Sequence, residues 1–74
     1  MMSMQTTDKV IGLVAKAMTE GTMHLEDTGY GRFINLPHIK DEAAAKIYAE
    51  NLVSQKPYMV DGEFIYDFKE VSNV

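Results

Sequence analysis

Two histidines, His24 and His38, are the side chains best suited to general acid–base chemistry in this chain. A catalytic pair must hold a substrate between its two imidazoles, and fourteen positions separate these residues along the sequence. No serine lies near a base in the sequence, and cysteine is absent, so no activated nucleophile is evident. We therefore predict that both histidines lie at the surface and that the protein is not an enzyme.

Metal and cofactor sites are equally weakly indicated. Zinc sites use cysteines or closely spaced histidines, and the sequence has neither, so Glu26 or Asp27 would have to complete any such site. The stretch GYGRF at 29–33 lacks both the dinucleotide-binding glycine pattern and the Gly-Lys-Ser/Thr ending of a phosphate loop. We expect no metal, no cofactor and no catalytic residue.

The same stretch could also contact RNA. Tyr30 and Phe33 are side chains on which bases stack, and Arg32 could bind phosphate. In a strand, however, residues three apart point to opposite faces, so the two aromatic rings should not form one stacking surface. We favour a strained turn with a solvated Arg32. A small nucleic-acid-binding regulator that uses Tyr30, Arg32 and Lys40 is the alternative function.

Composition indicates one small acidic domain over residues 1–74, with frayed ends at 1–5 and 71–74. The chain is 46% hydrophobic, has no cysteine and carries a net charge of −4. Residues 41–74 hold seven acidic against three basic side chains, which accounts for all of that charge. This half should repel nucleic acid and could meet a basic surface. With no long apolar run and no signal pattern, we expect a cytoplasmic protein without a membrane partner.

The first half of the chain predicts a helix and a hairpin. The helix covers 6–20, with Thr6 or Thr7 as its N-cap and Gly21 as its left-handed stop. Its apolar stripe contains Val10, Val14, Ala17 and Met18, and Gly12 inside it is expected to mark close packing against another element. The hairpin covers 22–36 and turns near Thr28 and Gly29. Its expected core-facing residues are Met23, Leu25, Ile34 and Leu36.

The second half predicts another helix and another hairpin. The helix covers 38–55, with its expected inward residues being Ala43, Ala44, Ile47, Tyr48 and Leu52. The element order α-β-β-α-β-β then predicts an α+β fold, a small antiparallel sheet with both helices on one face.

The second hairpin, PYMVDGEFIYDF at 57–68, is the clearest signal in the sequence. Asp61 and Gly62 suit a two-residue type I′ turn, which requires positive φ at both positions. Pairing the arms about this turn gives two apolar faces. The larger set is expected to face the helices and comprises Met59, Phe64, Tyr66 and Phe68. The smaller set is expected to face solvent and comprises Tyr58, Val60 and Ile65.

The runs RFINLP, DEAAAKIYAE and EFIYDFKEV lie within residues 31–71, about half of the chain. This sequence of strand, helix opening on Asp-Glu-Ala, and closing strand resembles small bacteriophage-encoded inhibitors of host proteins, of the RNA polymerase inhibitor type. The resemblance implies an inhibitor that acts in the host cytoplasm, and it carries over no functional residue. Antitoxin-like small domains share the same strand–helix pattern.

These observations favour a non-catalytic module that binds another protein. The expected docking patch is Tyr58, Val60 and Ile65, with Glu63 and Asp67 as its charged rim. Its partner would have a basic or apolar surface, and a homodimer formed through the same patch is a further possibility. On this hypothesis, Ile65→Glu weakens association and leaves the fold intact.

Overall fold

Two helices pack against each other and cover one face of a three-stranded sheet. The computed structural model describes residues 2–26 and 28–71, with side chains over 8–26 and 28–69. The elements are α1 (Met2–Glu20), β1 (Arg32–Ile34), α2 (Glu42–Ser54), β2 (Tyr58–Val60), β3 (Glu63–Asp67) and α3 (Phe68–Val71). The predicted α+β class and the order of helices and strands are confirmed. None of the described helices has the length and hydropathy of a membrane span.

The sheet is mixed, with the strand order β1-β3-β2. Strand β1 runs parallel to β3, with Phe33 opposite Tyr66, and β2 runs antiparallel to β3, with Tyr58 opposite Ile65. The expected sheet was antiparallel throughout. The difference arises because α2 lies between β1 and the second hairpin in the chain, and a strand reached across a helix can pair in parallel.

The first predicted hairpin is reduced to one bridge. Leu25 pairs antiparallel with Phe33, and their N–O distances are 2.7 and 2.8 Å. Phe33 and Leu36 are buried, whereas Met23, expected in the core, is 59% exposed. The alternation fails because Asn35 adopts a φ of 59°, which interrupts the strand.

Helix α1 begins earlier than predicted and ends as predicted. Thr6 and Thr7 lie within the helix, so neither is its N-cap, and residues 2–5, expected to fray, are helical; Met1 and residues 72–74 lie outside the described residues. At its end, Gly21 has a φ of 85°, and Thr22 N donates to Ala17 O at 2.8 Å. This is a Schellman-type stop. The predicted stripe of Val10, Val14, Ala17 and Met18 is buried.

Helix α2 is shorter than predicted and turns a different face to the core. It begins at Glu42, because Asp41 caps it: the Asp41 carboxylate accepts a hydrogen bond from Ala44 N at 2.9 Å. Its buried residues are Ala45, Ala49, Leu52 and Val53. Of the expected inward residues only Leu52 is among them, and Ile47 and Tyr48 are exposed. The helix is apolar on most sides, so its periodicity did not single out the face with small alanines that packs against α1.

Gly12 does not mark close packing, contrary to the expectation from the sequence. It is exposed on α1, and a Cβ built on it would meet no atom within 4 Å. Gly31 is the position where a side chain would not fit. It has a φ of 154°, and a Cβ there would lie 2.9 Å from Tyr66 Cε1 and 3.0 Å from the Phe64 carbonyl oxygen.

These two glycines make a matched pair of substitutions. We expect Gly12→Ala to stabilise the protein by up to about 1 kcal/mol, because alanine has the higher helix propensity and nothing opposes its methyl group. Gly31→Ala should destabilise it, because the new Cβ would clash with backbone at an unfavourable φ. Urea unfolding followed by circular dichroism measures both, and a stability loss in Gly12→Ala would contradict this account.

Candidate functional site

The turn of the second hairpin has the predicted geometry. Asp61 has a φ of 51° and Gly62 a φ of 84°, which is the pair of positive angles that a type I′ turn requires. The turn sets the register, with Val60 opposite Glu63 and Met59 opposite Phe64. The turn therefore fixes which residues of β2 and β3 lie opposite each other.

The tip of this hairpin is bare on both faces. Tyr58, Met59, Val60 and Phe64 are 43%, 59%, 46% and 48% exposed, and we call these four side chains the hairpin patch. Met59 and Phe64 share one face of the sheet, and Tyr58 and Val60 share the other. The patch thus offers apolar area on two sides of one protruding element.

The base of the hairpin is buried on both faces. Tyr66 is 7% exposed and lies in the core that the two helices cover. Ile65 is 6% exposed on the opposite face, where the side chains of Arg32 and Tyr58 flank it from the neighbouring strands. The helices therefore cover the sheet only near β1 and the end of β3.

Two expectations about the burial of this hairpin are wrong. Met59 and Phe64 share the face of Tyr66, as predicted, but they lie beyond the helices and are exposed. Ile65 was expected at the solvent surface, and the central position of β3 buries it. Alternation along a strand assigns residues to faces, whereas burial depends on how far the covering helices extend.

The two predicted rim carboxylates have different surroundings. Glu63 Oε1 lies 2.9 Å from Arg32 Nη2, with both side chains partly exposed, so the pair contributes little to stability and stays accessible. Asp67 lies at the far end of β3 from the turn. Its Oδ1 accepts hydrogen bonds from Asn35 Nδ2 at 2.9 Å and from Lys69 N at 3.0 Å. Asp67 therefore joins β1 to the start of α3, and Glu63 alone borders the hairpin patch.

A stack of three aromatic rings lies beneath the hairpin. The ring centroids of Phe33 and Tyr66 are 4.6 Å apart, and those of Tyr30 and Tyr66 are 5.7 Å apart. Tyr30 and Phe33 were expected on opposite faces, but Tyr30 precedes β1, so both rings reach Tyr66. Phe33 is fully buried and Tyr30 is half-buried. These rings are core, and Phe33 has no face open to a nucleic-acid base.

The loop that positions Tyr30 is tied by one hydroxyl group. Thr28 Oγ1 donates to Gly31 O at 2.7 Å and accepts from the backbone N–H groups of Tyr30 and Gly31 at 3.0 and 3.1 Å. These three bonds close a tight turn without a ligand. Two backbone donors of the glycine-rich stretch, those of Tyr30 and Gly31, are therefore engaged within the loop itself.

The two histidines considered for catalysis lie at the surface. His24 and His38 are both exposed, and the His38 ring lies 3.7 Å from the position that a Cβ on Gly21 would occupy. Within the described part of the chain, no three His, Asp or Glu side chains are arranged to hold a metal ion. Half of the large apolar side chains that are exposed in the described ranges lie on the second hairpin.

The chain matches no family model, no curated protein and no solved structure. The resemblance of residues 31–71 to phage-encoded inhibitors therefore stays a prediction.

Substitutions at Ile65 test whether this side chain is buried. We expect Ile65→Glu to destabilise the protein by about 3 kcal/mol or more, since it places an unpaired charge at a buried position. Ile65→Val is the matched control and should cost about 0.5–1.5 kcal/mol. Thermal unfolding measures both changes in stability. A stable, folded Ile65→Glu protein would show that Ile65 faces solvent and is not buried.

Ionisation of Tyr66 should lower the stability of the folded protein at alkaline pH. Burial raises the pKa of its phenol, and the neighbouring Tyr30 adds to this. Because the folded-state pKa lies above the unfolded value of about 10, the stability is complete below that pH and is lost above it, by up to about 1.4 kcal/mol per pH unit. Urea unfolding between pH 9 and 11 (about one unit either side of that value) should show this loss, and Tyr66→Phe should reduce it. An equal slope in Tyr66→Phe would contradict the assignment.

Proposed function

We propose that this protein is a non-catalytic binding module that occupies a surface of another protein through its hairpin patch. One observation carries the proposal. Eight large apolar side chains are exposed among the described residues, and four of them lie between positions 58 and 64. Scattered exposed apolar residues are ordinary, but a cluster on one protruding hairpin is typical of an interaction site.

The chemistry of the hairpin patch suits a protein partner. Tyrosine, phenylalanine and methionine are enriched at the centres of interfaces, and the patch contains one of each. Asp61 and Glu63 lie at the turn, in the half of the chain that carries the net negative charge. The complementary surface is therefore apolar at its centre, with basic side chains around it.

Binding alone is sufficient for such a module to act. A small rigid hairpin that covers a functional surface of its partner excludes whatever else binds there. The specific form suggested by the sequence is a phage-type inhibitor or modulator of a host protein, acting in the host cytoplasm. An antitoxin-like domain would use the same mechanism on a toxin surface.

A homodimer through the sheet edge is the less favoured arrangement. Strand β2 is the open edge of the sheet, but it has only three residues and follows Pro57, which has no N–H to donate. Continuous pairing of two such edges would form few hydrogen bonds. The apolar side chains of the patch, rather than its backbone, are the groups available to a partner.

The nucleic-acid alternative gains no specific support. Arg32 is paired with the Glu63 carboxylate, and Tyr30 packs against Tyr66. Lys40 is exposed, but it stands next to Asp41 and Glu42 at the start of α2. A phosphate backbone would meet carboxylates beside each of these basic side chains.

Two matched double variants test the proposal. Met59→Ser with Phe64→Ser removes the apolar centre of one face of the hairpin patch. Met23→Ser with Ile47→Ser removes two side chains that are each 59% exposed, elsewhere on the surface, and serves as the control. Both should fold, because all four side chains are largely solvated.

The measurement is affinity capture from a bacterial lysate, followed by titration calorimetry with the purified captured protein. We expect the hairpin variant to bind at least about tenfold more weakly than wild type, because interface centres carry most of the binding energy. The control should bind like wild type. Equal weakening of both variants would reject the hairpin as the docking site, and a concentration-dependent dimer in sedimentation that the hairpin variant abolishes would favour self-association.

A further inference from the structure

A second surface lies between α1 and α2 and shares no residue with the hairpin patch. The two helices leave a groove of about 740 Å³ between their outer faces. It extends along α1 from Asp8 to Glu20 and along α2 from Glu42 to Glu50. At about 1.5 Å per residue, the α1 side is roughly 18 Å long, which equals three turns of a facing helix.

The floor of the groove has a gap at Gly12. Ile11, Gly12 and Ala15 line it, and a Cβ at Gly12 would meet no atom within 4 Å. Glycine inside a helix lowers stability, and no element within the described residues approaches Gly12 closely enough to require it. The missing side chain leaves a space between Ile11 and Ala15 that a large apolar side chain from outside could fill.

The rim of the groove is charged and unpaired. Glu42, Lys46 and Glu50 are spaced four residues apart on α2, so they share one face of that helix. With Asp8, Lys16 and Glu20 on α1, the groove has four carboxylates and two amines. None of these six side chains forms an ion pair with another described residue. The groove therefore has a negative potential that attracts basic groups.

We propose that this groove binds a basic amphipathic helix of a partner protein, with one large apolar side chain seated over Gly12 and lysine or arginine facing the carboxylates. A third helix packs readily into the groove between two helices in contact. Helix α1 of a second copy lacks the required charge, since Asp8 and Glu20 offset Lys9 and Lys16. A nucleic acid would be repelled by the four carboxylates.

The probes are two synthetic peptides of about 18 residues with leucine at the i, i+3, i+4 and i+7 positions. All positions that are not leucine are lysine in one peptide and glutamate in the matched peptide. Titration of the ¹⁵N-labelled protein should shift the amide signals of Gly12, Ala15 and Lys46 with the lysine peptide and leave them in place with the glutamate peptide.

Gly12→Leu is the decisive variant, because it puts a large side chain where a Cβ meets no atom within 4 Å, and leucine has the better helix propensity. We expect it to bind the lysine peptide at least about tenfold more weakly, with a melting temperature no lower than wild type. Gly12→Ala is the size control and should bind within about threefold of wild type. Glu42→Gln with Glu50→Gln should weaken binding and flatten its dependence on salt.

Three results would overturn the proposal. They are equal binding by Gly12→Leu, equal shifts from the glutamate peptide, or the same shifts from spermidine alone, which would assign the groove to a free polyamine. The Met59→Ser, Phe64→Ser variant should bind the lysine peptide like wild type. The groove and the hairpin patch can therefore fail or succeed separately.

Discussion

The contact between Phe33 and Tyr66 is the interaction on which the rest of this structure depends. It joins β1 to β3 across thirty-three positions of sequence and fixes their parallel register. Because the Tyr66 side chain points toward the helices, that face of β3 packs against them, and Ile65 lies on the opposite face of the strand. Tyr30 completes the stack only because Gly31 lets the backbone pass close to the Tyr66 ring. Few other contacts in a chain of this size could set the sheet so firmly.

The exposed hairpin follows from the same arrangement. Two helices of this length cover the sheet around β1 and the end of β3, where the aromatic stack lies. Strand β2 and the turn extend past that cover and are held by their ladder with β3 and by the type I′ turn. The backbone of the hairpin patch thus has a defined conformation although its side chains are exposed. A surface with fixed geometry loses little conformational freedom when it binds, which favours association.

Local devices explain where several of the elements begin or end. Asp41 caps α2, Gly21 ends α1, Thr28 closes the loop before β1, and Asp67 holds Asn35 while starting α3. Apart from the Asp67–Asn35 hydrogen bond, each device is a backbone angle or a hydrogen bond between residues close together in the chain. Gly12 is the one glycine inside a described helix, and it faces a groove rather than a packed neighbour. The two candidate surfaces therefore differ in kind: one is a projection and the other a recess.

The sequence by itself determined the class of fold, the stop of α1, its buried stripe and the turn at Asp61 and Gly62, because these depend on residues close together in the chain. It could not determine the buried face of α2 or the exposure of Ile65, Met59 and Phe64. Burial at those positions depends on how far a neighbouring element extends over them. Periodicity assigns each residue to a face of its helix or strand, but it does not show which part of that face another element packs against. The tertiary structure alone decided that the hairpin is buried at its base and bare at its tip, because the covering helices reach only as far as Tyr66 and the central position of β3 buries Ile65.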